Sequence, residues 1–356
     1  LLGDLVVREP ADIAQREDLA LRGRKPGHGF ADVVRELVAH RELRRVLAGD
    51  ADADAHHAAG RGLHVAGLIA AAAGVVGYFR VIGSLNDLLL LYDRARGTFK
   101  DPNVLGAFMV LPALISLQYV ISSRFWPATR HAVLFGLCSA AVLLSFSRAA
   151  WGQLAFAAHM VLFLTLVTSP SSNQRMRIVL LAIAGVGGLA LFMAGLLSLE
   201  AVSNLLKERL NFNQSYDVGE TGRFGRHLLG ALLALDVPFG IGPLQFPKFF
   251  PEDPHNSYLN AFMSGGWLAG VCYPTLVLVS LYYGMRAVFT PTPWQRTTIV
   301  IYTAYFTTAA ESAIIDSDHW RHGFLILGVL IAASRAYASA GFSGRKPALA
   351  HQHPPS

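Results

Sequence analysis

From Leu63 onward the chain alternates long apolar blocks with short polar joints. The blocks are Leu63 to Phe79, Val104 to Val120, Ala132 to Phe146, Ala149 to Val167, Ile178 to Leu199, Ser257 to Tyr283, Thr297 to Ile315 and Gly323 to Ala338. Most are about 17 to 25 residues long, what an α-helix needs to cross roughly 30 Å of hydrocarbon. They predict an all-α fold, a polytopic transmembrane helix bundle of about eight spans. The period-two alternation of a membrane β-barrel is not seen. The third and fourth blocks are nearly continuous, so the turn at Ser147 and Arg148 must be tight.

The joints predict an orientation. Alternate ones carry Arg124 and Arg130, Arg175 and Arg177, Arg286 and Arg296, then Arg335, Arg345 and Lys346 at the chain end, without an acid. They read as cytoplasmic. The other joints hold nearly all the acids after Gly62, including Asp87, Asp101, Glu252, Asp316 and Asp318, and read as periplasmic. An even number of spans puts both ends inside. The periplasmic side then owns the one long connection, 200–255, rich enough in aromatic and aliphatic residues to fold. Connections of that length are commonly functional. Within it Arg226 to Leu235 reads as an amphipathic helix closed by Asp236, Pro238 and Gly240. Three regions follow: a hydrophilic segment 1–62, a transmembrane domain 63–340 and a cytoplasmic tail 341–356.

Composition agrees. Of 356 residues, 53% are hydrophobic and 15% charged, well below the roughly 25% charged of soluble domains. The net charge of +6 follows from basic cytoplasmic joints and does not require nucleic acid. Cys138 and Cys272 fall in apolar blocks and read as packing residues, not a disulfide framework. Segment 1–62 has balanced charges and no spanning run or signal peptide. Arg35 to Arg45 reads as a short surface helix, and the Asp50, Asp52, Asp54 run as a solvated linker.

Arginines on the outer side run against the positive-inside bias and require an explanation. Arg148 and Arg223 with Arg226, and then Arg94 and Arg96, are the clearest. A planar, permanently charged fork suits a phosphate or diphosphate; snorkelling to headgroups or pairing with a loop acid is the alternative. His255 precedes a long span; a histidine there reads either as a general base or as a helix-end residue hydrogen-bonded to a neighbour, and Asn256 reads as the helix N-cap. Pro238 to Pro243 lacks the spacing of a phosphate-binding glycine loop and reads as a shaped turn. Asp316 and Asp318 form an Asp-x-Asp pair, either metal ligands or helix caps. Glu311 is an intramembrane acid, either functional or paired. The absence of an internal repeat and the rim placement of the charges weigh against a transporter.

Taken together, Arg94 to Asn103 leading into a span, Ser147-Arg148 at a helix junction, Thr221-Gly-Arg223, Pro238-Phe-Gly-Ile-Gly242, and His255-Asn-Ser-Tyr-Leu259 followed by Gly266 and Gly270 resemble the O-antigen ligase and O-antigen polymerase superfamily. The resemblance runs from Leu63 to Ala338. It implies a metal-independent, cofactor-free glycosyltransferase of the bacterial inner membrane with its active face periplasmic. The donor would be a glycan on undecaprenyl diphosphate, the acceptor a lipid A core sugar for a ligase or another lipid-linked glycan for a polymerase. By the same resemblance Arg148 and Arg223 hold the diphosphate and His255 activates the acceptor hydroxyl. Arg226, Arg94, Arg96 and Asn256 would bind substrate. Family members carry more spans, so the composition break at Gly62 and the lack of an initiator Met predict an incomplete or frame-shifted reading frame. An inactive truncated fragment is the corresponding alternative.

Overall fold

The computed structural model describes residues 53–198, 200, 203–204, 219 and 222–342. The chain divides into two units, Leu1–Ala55 and His56–Ser356; the first falls almost wholly outside the described residues. So do the surface helix expected at Arg35 to Arg45, the Asp50 run, most of the tail and residues 205–218 of the long connection.

Among its described residues the second unit is helical, with one hairpin of two-residue strands. Besides a four-residue turn of helix at Asn86–Leu89, the described helices are α1 (Ala53–Tyr78), which begins at the end of the first unit, α2 (Pro102–Ser122), α3 (Phe125–Leu144), α4 (Arg148–Thr168), α5 (Ser172–Leu197), α6 (Arg223–Asp236), α7 (Ser257–Val288), α8 (Gln295–Glu311) and α9 (Arg321–Phe342). The hairpin pairs β1 (Leu90–Leu91) with β2 (Arg94–Ala95). Each apolar block of the sequence lies within one of these helices or overlaps it. Helix α1 starts well before Leu63, because the Ala-rich stretch at 53–62 favours helix. Five helices, α2 to α5 and α7, are long and apolar enough to cross a membrane. Helix α8 is shorter, and α1 and α9 have shorter apolar stretches.

Local signals set the helix starts. Asp101 caps α2, accepting from the Asn103 amide at 2.7 Å, with Pro102 in the first turn. Ser147 caps α4 by accepting from the Ala150 amide, and the tight turn before it is made by Phe146 in the left-handed region, φ 47°. Two cores hold the bundle. Around α2, α4 and α8 lie Leu114, Val161, Ile299 and Leu330; between α1, α2 and α3 lie Ala71, Leu105, Met109 and Val142. Buried polar bonds fix the register. At one end of the bundle Gln153 donates to Thr308 at 3.1 Å. At the other Thr165 donates to Gln118 at 3.2 Å and Arg177 to the Val120 carbonyl at 2.9 Å. Cys138 is buried as expected, whereas Cys272 is exposed on α7; both are free thiols.

Helix α7 is two helices. At Gly265 and Gly266 the backbone leaves helical geometry, separating 257–264 from 267–288. The bend is sharp. The Tyr258 and Tyr273 ring centroids lie 5.4 Å apart, whereas a straight helix would separate the two residues by about 22 Å. Only 267–288 forms the continuous membrane-length helix, although the sequence pattern places a span from Ser257. The Pro238–Gly242 turn is docked on the bend. The Ile241 amide donates to the Met263 carbonyl at 2.7 Å, and the Trp267 amide to the Pro238 carbonyl at 2.9 Å. A Cβ on Gly240 would lie 2.6 Å from the Gly266 nitrogen, and one on Gly266 would lie 2.3 Å from the Pro238 oxygen. Both glycines have positive φ, so backbone meets backbone here and no side chain fits between.

Candidate functional site

His255 sits immediately before α7 with φ 49°, in the left-handed region that non-glycine residues seldom adopt, histidine more often than most, and its surroundings hold it there. Those surroundings are the turn that follows α8. Asp316 receives the His255 Nδ1 at 2.9 Å on one carboxylate oxygen and the Asn256 amide at 3.1 Å on the other. The Ser257 amide donates to the Ser312 carbonyl at 2.8 Å, and the Ser317 amide to the Ser257 hydroxyl at 2.8 Å. The Ser312 and Ser317 hydroxyls bond each other. Asn256 caps α7, accepting from the Leu259 amide at 3.0 Å. With Nδ1–H given to the carboxylate, Nε2 is left as the basic nitrogen. The His255 side chain is 36% exposed and Asp316 18%, so the imidazole reaches solvent while the carboxylate that holds it is sheltered.

Helix α6 flanks this pair. Its N-cap is Gly222, which supplies no side-chain cap, so its first-turn amides lack the partner a polar cap would give. Arg223 opens the helix, half-buried. His227, one turn on, faces the carbonyls of Pro254 and His255. Burial is the main cause that lowers its pKa; Arg223 and His255 add to this, and the two carbonyls oppose it. Its Nε2 is buried with no partner among the described residues. Arg226 is buried and bonds Glu252 at 2.9 Å, tying α6 to the segment that returns toward His255.

The other candidate arginines are also engaged. Arg94 is buried, donating to the Ser145 carbonyl at 2.7 Å and to the Asn103 side chain at 2.8 Å, so it fastens the hairpin to the end of α3 and the start of α2. Arg96 donates to the Leu88 and Asp87 carbonyls at 3.0 and 2.8 Å. Arg148 opens α4, half-buried, at the end of the bundle where Gln153 meets Thr308 and where Asp316 follows α8. Asp316 and Asp318 do not act as a pair: Asp316 holds His255, while Asp318 accepts from Asn260 and lies 3.2 Å from His319. Glu311 is buried in the last turn of α8, its carboxylate without a hydrogen-bond partner among the described residues.

The structure thus joins His255 and Asn256 to Asp316, and places Arg223 beside them through His227. Arg94, Arg96 and Arg226 brace the protein, and Arg148 stands at the same end of the bundle. Sequence reasoning missed His227, the Asp316 pairing and the serine cluster. For His227 a signal was available, its one-turn spacing from Arg223 on a helix already expected.

Comparison with models of protein families, with curated proteins and with solved structures finds no match.

Proposed function

We propose that this chain carries a glycosyl transfer of the O-antigen ligase kind at the periplasmic face of a bacterial inner membrane. In it a glycan moves from undecaprenyl diphosphate to a hydroxyl of a lipid A core sugar. The observation that carries the reading is the His255–Asp316 pair at 2.9 Å, with His227 of α6 against the His255 backbone and Arg223 next to His227. Nε2 of His255 takes the proton of the acceptor hydroxyl. The acceptor oxygen bonds the anomeric carbon, and the carbon–oxygen bond to phosphate breaks with its electron pair remaining on the diphosphate. Asp316 keeps the imidazole in the productive tautomer and stabilises the imidazolium that forms. Arg223 and Arg148 offer permanent positive charge to the leaving diphosphate. Arg94, Arg96 and Arg226 act by holding this frame. The split of basic and acid-bearing joints between the two ends supports putting this end outside.

The test is expression in a bacterial strain lacking its ligase, compared with His255→Ala and Arg223→Ala. Capped lipopolysaccharide that both substitutions abolish supports the reading. Longer lipid-linked chains without capping would move it to a polymerase. Capping that survives both substitutions would refute the site.

A further inference from the structure

We infer that the outer face of α6 is a lipid-contact surface, lying against the bilayer at the boundary of headgroups and acyl chains. This goes beyond the glycosyl-transfer reading and does not depend on it. The inner face of α6 is occupied: Arg226, Gly230 and Ala234 are buried, and a Cβ on Gly230 would lie 3.0 to 3.2 Å from Leu259 and Phe246. The opposite face is also apolar. Phe224, Leu228, Leu232 and Leu235 follow helical spacing and are 53 to 66% exposed, which leaves α6 no polar stripe to give to water. Four such side chains in a row form a contiguous patch of the sort that marks a protein or membrane contact.

Continuity decides between those partners. Trp267 donates its indole N–H to the Ala234 carbonyl at 2.8 Å, joining the C-terminal end of α6 to the first turn of the 267–288 helix. Trp267 and Leu268 are themselves exposed, and they begin the outer surface of a helix apolar enough to cross a membrane. The apolar stripe of α6 therefore runs without interruption onto a surface that meets acyl chains. A tryptophan at that junction is the usual residue of a membrane boundary. The arrangement is that of an interfacial helix, with its basic residues toward the protein and its first turn.

The experiment uses the full chain in nanodiscs of phosphatidylethanolamine and phosphatidylglycerol. Leu228→Cys and Leu232→Cys are made in a Cys272→Ala background and labelled with an environment-sensitive fluorophore; buried Cys138 does not take the label. Asp253→Cys, at an exposed polar position, is the aqueous reference. A phospholipid carrying a doxyl group near its glycerol end should dim the labels at positions 228 and 232 at least about twofold. It should leave the reference nearly unchanged, and aqueous iodide should show the reverse order. Iodide quenching at position 232 equal to that at 253, without doxyl quenching, would overturn the inference in favour of water. Quenching by neither reagent would overturn it in favour of a protein cover.

Discussion

Gly266→Ala should undock the Pro238–Gly242 turn from α7 while leaving the helix bundle folded. Gly266 has φ 69° and ψ −164°, a region open essentially to glycine alone, and placing alanine there costs about 1–3 kcal/mol. The added methyl would lie 2.3 Å from the Pro238 oxygen and 2.6 Å from the Phe239 carbonyl carbon, so the turn must move. Moving it breaks the Ile241-to-Met263 and Trp267-to-Pro238 hydrogen bonds, each worth about 1 kcal/mol net. Those bonds are absent from the undocked state of parent and variant alike, so the shift is set by the docked-state cost of roughly 1–3 kcal/mol, which raises the undocked population between about fivefold and about a hundred and fiftyfold. Hydrogen exchange reads this directly, since the Ile241 and Trp267 amides should lose protection by that factor while amides in α2 and α4 keep theirs. Gly185→Ala is the control, because a Cβ there meets nothing within 4 Å and alanine favours helix by about 0.5–1 kcal/mol. If Ile241 and Trp267 exchange in Gly266→Ala as slowly as in the parent, the backbone-to-backbone docking described above is wrong.

Asp316→Asn keeps an oxygen for the Asn256 amide but removes the charge that orients His255, so transfer should fall by about 10² to 10⁴; a loss under about threefold in a capping assay would refute the dyad. Arg94→Ala removes two buried charge-assisted bonds and should destabilise the protein by about 3 kcal/mol, with Arg94→Lys giving little rescue because two fixed directions are needed. A thermal melt checks it, and weakened donor binding at unchanged stability would make Arg94 a substrate ligand instead. His227 has its pKa lowered by burial and then by Arg223 and His255. Its contribution to stability is therefore complete above its ordinary value of 6.5 and is lost as pH falls from there through the folded-state pKa. His227→Gln should flatten that acid-side loss of α6 protection in hydrogen exchange, and an unchanged pH dependence would exclude His227 as its source.

The helices were legible because apolar blocks of membrane length have few other ways to fold, and α6, Asn256 as cap and the tight turn at Ser147 were legible from local chemistry. The bend at Gly265 and Gly266 was not. Two glycines inside a long apolar run look like ordinary membrane-helix residues; what bends α7 is the turn at Pro238–Gly242, remote in sequence, which supplies the carbonyl and amide that the broken helix lacks. The Asp316 pairing was hidden for the same reason. An acid after α8 and a histidine before α7 become partners only because the Ser257, Ser312 and Ser317 bonds close the two helix ends on each other.

Charge alone does not assign roles to Arg94, Arg96, Arg223 and Arg226. All of them carry the same permanent charge, yet their surroundings divide them. Arg94 and Arg96 direct their forks at main-chain carbonyls, and Arg226 at Glu252. An arginine committed to protein acceptors at 2.7–3.0 Å would have to break those bonds to bind a ligand. An arginine at these positions thus has two sufficient explanations, bracing and ligand binding. Arg223, half-exposed at the start of α6 and next to His227, lies toward the Pro254–His255 segment. The role proposed for it therefore rests on the packing of α6 against the Pro254–His255 backbone more than on its charge, and a change that displaced α6 without touching Arg223 should cost as much activity as removing the guanidinium itself.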